Sequence, residues 1–245
     1  MKAILITATV ATTIAASAVS AEEPEIIPIN GGQLIVCSTY AATQTIHALV
    51  VNGQMQNVDG CWVSPINTWD LQPGQRYGVI GMGGLGHMAV KLAAAKGAEV
   101  IVFTTSEDKI EDAKAFGATE AYLWSDEEAM GALRGSFDLM LSTVPVGYQM
   151  QPFLNLLKLD GTLVNVGALG MLEGPSGMAM AFGRTRLAGS MTGGIAETQA
   201  VIDFAAKHGI AASYEMITPD QIGASCEKVA SKQARYRYVI DMTAA

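Results

Sequence analysis

Residues 76–96 read RYGVIGMGGLGHMAVKLAAAK, and this stretch decides the fold. It begins with apolar residues typical of a short buried strand and continues with apolar positions three or four residues apart, as in an amphipathic helix. Between the two lies Gly-Met-Gly-Gly-Leu-Gly, a G-x-G-x-x-G sequence. Its glycines allow a tight turn, a close approach of the backbone to a pyrophosphate, and close packing of helix against strand. We therefore predict a dinucleotide-binding turn, with a purely structural glycine turn as the alternative.

The predicted pyrophosphate contacts come from this turn and from the start of the helix that follows it. There the N–H groups and the positive end of the helix dipole would face the phosphates. The residues concerned are Gly81, Gly83, Gly84, Leu85 and Gly86.

The composition of the whole chain narrows the classes of partner. Its 245 residues fit one sizeable domain, or one domain and a fragment. With a net charge of −8 and no basic run, we expect no nucleic acid and no anionic membrane surface as partner. The three cysteines are too few for a disulfide scaffold and lack the CxxC spacing of a structural zinc site.

The N-terminus predicts export. Lys2 is followed by an apolar run and by small residues that end at Ala21, just before Glu22. This pattern predicts a signal peptide over residues 1–21, with a buried strand or helix as the alternative. After cleavage no membrane segment is expected, because no later stretch is long and apolar enough. Export implies a periplasmic or secreted protein, whereas a coenzyme site implies the cytoplasm, so the compartment stays open.

Residues 22–63 differ from the rest of the chain and predict a small β-rich segment, whose relation to the part that follows is unknown. Asn52-Gly53 is a strong hairpin turn between two β-rich runs. Cys37 and Cys61 lie in or beside such runs. Their two alternative roles are a disulfide bond, if the segment is exported, and simple packing in the core. A zinc site formed by Cys37, His47 and Cys61 has no support in their spacing, so no metal ligand is assigned.

From residue 64 onward strands and helices alternate. This alternation predicts an α/β fold, a doubly wound parallel Rossmann sheet with ligands at the carboxyl ends of its strands. The expected strands after the glycine helix cover residues 99–104, 121–124, 137–142, 162–166 and 187–190. The expected helices cover residues 106–116, 150–158, 197–208 and 219–232, and a last strand covers residues 236–242.

The end of the second strand predicts the coenzyme. Sites that prefer NAD place a carboxylate there to bind the ribose 2′-hydroxyl. This chain instead has Thr104, Thr105 and Ser106, with Lys109 one turn into the next helix. Hydroxyl groups and an ammonium group suit a 2′-phosphate, so we predict NADP. In the alternative, Lys109 is a solvated helix residue and Glu107 binds the ribose.

Several stretches resemble the zinc-type medium-chain alcohol dehydrogenases, above all their cinnamyl-alcohol-dehydrogenase-like, NADP-dependent aldehyde reductases. They are GVIGMGGLGHMAVKLAAAKGAEV, DLMLSTVP, LLKLDGTLVNVGA, LAGSMTGG and RYRYVIDM. The resemblance starts near residue 64 and runs nearly to the C-terminus. It implies an NADP-binding Rossmann domain over residues 64–194, and a C-terminal return segment of the family's catalytic domain over residues 195–245.

The resemblance also implies that nine residues at strand ends line the nicotinamide half of the coenzyme. Their alternative role is ordinary packing at the strand ends. They are Thr143, Val144, Pro145, Val166, Gly167, Ala168, Ser190, Met191 and Thr192. His87 is expected to pack or cap locally rather than to act as an acid or base.

The family's chemistry is hydride transfer between an alcohol or aldehyde and nicotinamide, with a zinc ion that polarises the substrate oxygen. The resemblance implies that Cys and His of a separate catalytic domain hold this zinc, partly through a Gly-His-Glu motif that does not occur here. We therefore expect an NADP(H)-binding oxidoreductase for small aldehydes or alcohols, truncated or rearranged, with very poor turnover and no assigned catalytic residue. The alternative is a non-catalytic dinucleotide-binding module fused to an exported segment. An uncovered apolar surface would favour a homo-oligomer.

Overall fold

A computed structural model describes residues 25–29, 32–36, 49–51, 54–56, 69–167, 171–190, 193–231 and 233–241. These residues belong to two compact units, one drawn from Gly60–Ala212 and the other from Met1–Asp59 with Ser213–Ala245. The predicted signal peptide, Cys37, His47 and Cys61 lie outside the described residues. The domain boundaries proposed from the sequence stay a prediction. Across the described ranges, no helix is both long and apolar enough to cross a membrane.

In chain order the strands are β1 (Glu25–Ile29), β2 (Gly32–Val36), β3 (Leu49–Val51), β4 (Gln54–Gln56), β5 (Arg76–Ile80), β6 (Glu99–Thr104), β7 (Glu120–Leu123), β8 (Phe137–Ser142), β9 (Leu157–Asn165), β10 (Arg186–Gly189), β11 (Glu215–Ile217) and β12 (Tyr238–Ile240). The helices are α1 (Gly84–Ala95), α2 (Ile110–Ala115), α3 (Glu127–Ala132), α4 (Gln151–Leu154), α5 (Gly177–Gly183), α6 (Ile195–Lys207) and α7 (Ile222–Ala230). Short 3₁₀ turns, Glu107–Lys109 and Pro219–Gln221, lead into α2 and α7.

The Gly60–Ala212 unit is built on one parallel sheet with the strand order β10-β9-β8-β5-β6-β7. Strand β5 has β6 on one side and β8 on the other, so the order of strands reverses direction between β5 and β8. In open α/β sheets a ligand binds in the crevice at such a reversal, outside the carboxyl ends of the strands. The predicted α/β Rossmann fold is confirmed, and the glycine motif follows directly on β5.

The strand sequences explain why the sheet is parallel and why helices cover its faces. All of β5 after Arg76, and all of β6 after Glu99, is buried. Near-continuous apolar strands of this kind form parallel sheets with helices on both faces. On one face Phe103 makes edge-to-face contacts with Phe137 and Phe153, each at 5.7 Å between ring centroids. This packing holds the central strands together.

The sequence prediction of a helix over residues 150–158 was too long. Helix α4 ends at Leu154, and β9 begins at Leu157. β9 pairs with β8 through Leu157, and the register then shifts before pairing resumes at Thr162. A short apolar run fits a helix or a buried strand equally well by periodicity, and here the contact with β8 decides for a strand.

In the other unit the described residues form three two-stranded pairings. β1 and β2 are antiparallel, and so are β3 and β4, where Val51 lies opposite Gln54. This register is the one expected for a two-residue hairpin turn. β11 and β12 are parallel, and α7 lies between them in sequence. At the start of the 3₁₀ turn before α7, the Thr218 N–H donates to the Gln221 side chain at 3.0 Å.

Candidate functional site

The glycine turn lies where β5 passes into α1, and packing requires two of its glycines. Gly81 has a φ of +95°, in the left-handed region that favours glycine. A Cβ atom on Gly86 would lie 2.0 Å from the Gly81 carbonyl oxygen. The backbone of α1 therefore approaches β5 as closely as the motif predicts.

Gly83 differs from Gly81 and Gly86, because neither its backbone angles nor its surroundings require a glycine. Its φ of −115° and ψ of −157° are open to residues with side chains. A Cβ atom placed on it would meet nothing within 4 Å. The described residues leave room for a side chain there, so packing does not explain the glycine, whereas the motif assigns this position to the close approach of a pyrophosphate. A pyrophosphate against the turn fits this space.

The start of α1 suits an anion. Gly83 is the N-cap, and within the described part of the chain no side chain caps the helix there. The first turn carries no acidic residue. The positive end of the helix dipole therefore meets no carboxylate from its own first turn, and a phosphate at this position would be stabilised.

Thr143 connects the turn to the strand on the other side of the crevice. Its hydroxyl lies 3.1 Å from the carbonyl oxygens of both Ile80 and Gly81, and its backbone N–H donates to Ile80 at 2.8 Å. On the next strand end, a Cβ atom on Gly167 would lie 2.4 Å from the Thr143 carbonyl carbon. The ends of β5, β8 and β9 therefore lie in close contact.

The end of β6 divides the predicted 2′-phosphate residues into two groups. Thr104 is only 2% exposed, and its hydroxyl accepts the Ser106 N–H at 3.1 Å. This hydroxyl therefore shapes the turn from inside. Thr105 is exposed, and Ser106 and Lys109 are half-buried. These three side chains are the ones that can meet a ligand at this edge.

The other predicted residues follow the same edge of the sheet. Val144 and Val166 are buried, so the packing role given as their alternative applies. Pro145 is exposed, and Ser190 is half-buried with its N–H donating to Asn165 at 3.1 Å. Ala168, Met191 and Thr192 lie outside the described residues.

His87 lies in the first turn of α1, and the sequence assigned it only to packing or capping. It is fully buried, and its Nδ1 lies 3.2 Å from the Gly83 carbonyl oxygen. Burial, and secondarily the nearby charge of Lys91, lowers the pKa of His87 to about 4. The imidazole is therefore neutral at neutral pH. The signal in the sequence was its position four residues after Gly83, one helical turn away.

Over the residues that the structure describes, no group of three or more His, Cys, Asp or Glu side chains could hold a metal ion. The described residues therefore do not supply the zinc site that the resemblance implies. The arrangement at the sheet edge is suited to binding a dinucleotide.

The strand order and the glycine turn at its reversal define a Rossmann dinucleotide-binding domain. The sequence model of the zinc-binding dehydrogenase family matches residues 84–207, about half of the chain. The chain belongs to the zinc-binding dehydrogenases, and the resemblance drawn from its sequence is confirmed.

Individual relatives agree with this assignment. The chain is 46% identical over 179 residues to the aldehyde reductase YahK of Escherichia coli (strain K12), covering 73% of this chain and 51% of the relative. It is 46% identical over 181 residues to NADP-dependent alcohol dehydrogenase C 1 of Mycolicibacterium smegmatis, covering 73% and 51%. A solved cinnamyl alcohol dehydrogenase from Sorghum bicolor superposes with a TM-score of 0.72 at 38% identity, covering 76% of this chain and 53% of the other. The chain thus spans about half the length of the relatives it matches.

Proposed function

We propose that this chain binds NADP(H) in its Gly60–Ala212 unit, as an oxidoreductase related to alcohol dehydrogenases and aldehyde reductases. The observation that carries the proposal is Gly83. Its backbone angles and its open surroundings leave room for a side chain, yet glycine stands at the position where a pyrophosphate would approach.

The preference for the phosphorylated coenzyme rests on the end of β6. Thr105, Ser106 and Lys109 are accessible there, and no carboxylate occupies the first two positions after the strand. Lys109 ends the 3₁₀ turn Glu107–Lys109, three residues after Ser106. A 2′-phosphate would gain charge-assisted hydrogen bonds from such a set. The NADP dependence of the Mycolicibacterium relative supports the same choice.

The proposed reaction is hydride transfer between a small alcohol or aldehyde and the nicotinamide. The bound coenzyme supplies or accepts the hydride. The chain's own contribution is to bind and orient. The turn around Gly83 would hold the pyrophosphate, and Thr143 fixes that turn against the end of β8. Val144 and Val166 give the adjoining strand ends a packed apolar base.

The second candidate function is a dinucleotide-binding module without catalysis. One observation favours it. Among the described residues, the carboxyl-end edge of the sheet offers binding groups and packing residues but no cluster of metal ligands. The two candidates share the coenzyme site and differ in turnover. For this reason, binding and turnover need separate measurements on the same preparation.

The binding experiment is a fluorescence titration of the full chain with NADPH and with NADH. We expect tighter binding of NADPH, and equal or reversed affinities would contradict the assignment of the 2′-phosphate residues. Failure to bind either coenzyme would contradict both candidate functions.

The turnover experiment follows NADPH oxidation with cinnamaldehyde, benzaldehyde and butanal, while bound zinc is measured by metal analysis. We expect very poor but measurable turnover, because the described residues offer no cluster that could hold a metal to polarise the substrate oxygen. Undetectable turnover would favour the binding module. Robust zinc-dependent turnover would establish the oxidoreductase. Its loss in Cys37→Ser or His47→Ala would then assign the zinc to residues 22–63.

Self-association is a further part of the proposal, supported by exposed apolar side chains. Met171, Met178 and Phe182 are 94%, 72% and 81% exposed, and the last two are one turn apart on α5. β10, which follows α5, is the end strand of the sheet. We expect light scattering to give more than one copy and Phe182→Glu to give a monomer. Ile202→Glu, which alters an exposed apolar residue on α6, serves as the control.

We also propose that residues 1–21 direct export, from their charge and apolar pattern alone. The measurement is the N-terminus of the protein recovered from separated cell fractions. Cleavage after Ala21 in an extracytoplasmic fraction supports export, and an intact chain in the cytoplasm contradicts it.

A further inference from the structure

The Gly83 carbonyl oxygen receives two hydrogen bonds from one residue. The backbone N–H of His87 donates to it at 3.0 Å, as the first helical bond of α1. The His87 ring nitrogen Nδ1 lies 3.2 Å from the same oxygen. A carbonyl oxygen can only accept, so Nδ1 carries the hydrogen in this contact. An ordinary helix start would provide only the first of these bonds.

The second bond adds a side-chain restraint to a peptide whose oxygen the first helical bond of α1 already holds. Gly83 and Gly84 are both glycines, whose backbones rotate more freely than those of other residues. The peptide group between them is planar and trans, so its N–H points opposite to its C=O. If the Gly83 oxygen is held toward the helix, the Gly84 N–H is held toward the space in front of the helix.

The imidazole is itself held in place. It is fully buried and packs against the Phe116 ring at 5.7 Å between centroids. One turn further along α1, Lys91 Nζ lies 4.5 Å from the centre of the same ring and donates to the Ala211 oxygen at 2.8 Å. The ring that restrains Gly83 is therefore packed between α1 and the residue that follows α2, where it has little freedom to turn.

We propose that His87 is a positioning residue for the coenzyme, whose Nδ1–H fixes the Gly83–Gly84 peptide so that the Gly84 N–H faces the pyrophosphate. This role rests on the proposed binding of NADP(H). It differs from simple packing because it depends on the ring donor Nδ1–H. An apolar residue of similar size fills the space but does not restrain the peptide.

Three substitutions at His87 distinguish the effect of the hydrogen-bond donor from the effect of side-chain volume. His87→Asn keeps a nitrogen donor attached to Cγ, as Nδ1 is, whereas His87→Gln places its donor one bond further out. His87→Leu keeps apolar volume and removes the donor. In NADPH titrations of the full chain we expect about a five- to tenfold loss of affinity for Leu and Gln, since one hydrogen bond is involved. Asn should remain within about twofold of the unchanged protein.

A second measurement works without coenzyme. In the ¹⁵N-glycine-labelled protein, the Gly84 amide resonance should shift in His87→Leu and return toward its original position in His87→Asn. Equal affinities and equal Gly84 resonances in the Asn and Leu variants, with both folded by circular dichroism, would overturn the proposal. If the unchanged protein binds no NADPH, the proposed function fails. The Gly84 resonances then decide by themselves whether His87 restrains the peptide.

Discussion

The hydroxyl of Thr143 lies 3.1 Å from the carbonyl oxygen of Gly81, which is 62 residues earlier in the chain. This contact joins the ends of β5 and β8, the two neighbouring strands between which the strand order reverses. The glycine turn is therefore supported by a residue outside the motif. Two residues that a motif search treats separately form one structural unit at the site.

Replacing Thr143 by valine tests this support. Thr143→Val keeps the branched shape and removes the hydroxyl, leaving the carbonyl oxygens of Ile80 and Gly81 without that donor. We expect the free energy of unfolding to fall by about 1 kcal/mol, as for loss of one buried hydrogen bond. NADPH affinity should fall as well, because the turn is less restrained. Thr143→Ser keeps the hydroxyl and should bind NADPH better than the valine variant, and the opposite ranking would contradict this explanation.

Gly83→Val tests the space in front of the turn. The backbone angles at Gly83 accept a side chain, and the added atoms meet no protein atom. We expect a folded protein that no longer binds NADPH, because the side chain occupies the place of the pyrophosphate. Gly174→Val is a matched control, since a Cβ atom there also meets nothing within 4 Å. Normal binding by folded Gly83→Val would show that the turn is only structural.

Lys109→Ala tests the choice of coenzyme. Loss of the ammonium group should weaken NADPH by about 1–3 kcal/mol, the range for a hydrogen bond to a charged group, and leave NADH almost unchanged. Lys114→Ala removes a lysine of α2 that pairs with Glu111 at 3.1 Å, and serves as the control. Titrations with both coenzymes give the result. A parallel loss for NADPH and NADH in Lys109→Ala would place Lys109 away from the 2′-phosphate.

His87 should make stability depend on pH. Burial lowers its pKa to about 4 in the folded protein, below the value of about 6.5 for an exposed histidine. The unfolded chain therefore takes up a proton first as the pH falls. The stabilising effect is complete above about pH 6.5 and is lost progressively toward pH 4, by up to about 3 kcal/mol.

Urea unfolding at a series of pH values measures this effect. His87→Gln removes the titrating group and should flatten the dependence between pH 6.5 and 4. His208→Gln removes an exposed imidazole and serves as the control. If His87→Gln and the unchanged protein lose stability in parallel, other groups cause the pH dependence.

Much of the sheet could be predicted because its signals are local. β6 and β8 occupy the predicted residues 99–104 and 137–142, since each is rich in apolar residues and has clear ends. The glycine motif gave the position of the turn for the same reason. Its three glycines report on backbone geometry and close contacts that every such turn shares.

Other features depend on residues far apart in sequence. At the irregular start of β9, Asp160 has a φ of +65° and forms an ion pair with Arg184, whose Nε lies 2.9 Å from it. No local pattern predicts that partner, which is 24 residues away. The burial of Thr104 was missed likewise, because a hydroxyl at a strand end looks accessible until its bond to Ser106 is known.

The position of β5 in the middle of the sheet has a consequence for synthesis on the ribosome. β5, β6 and β7 are consecutive in sequence and can pair as they emerge, but the other edge of β5 stays open until β8 has been made. Until then a buried strand of the finished protein presents an unpaired edge, the kind of surface that promotes aggregation. Thr143 follows β8 directly, so the nascent chain acquires the support of its glycine turn only when this exposed edge is closed.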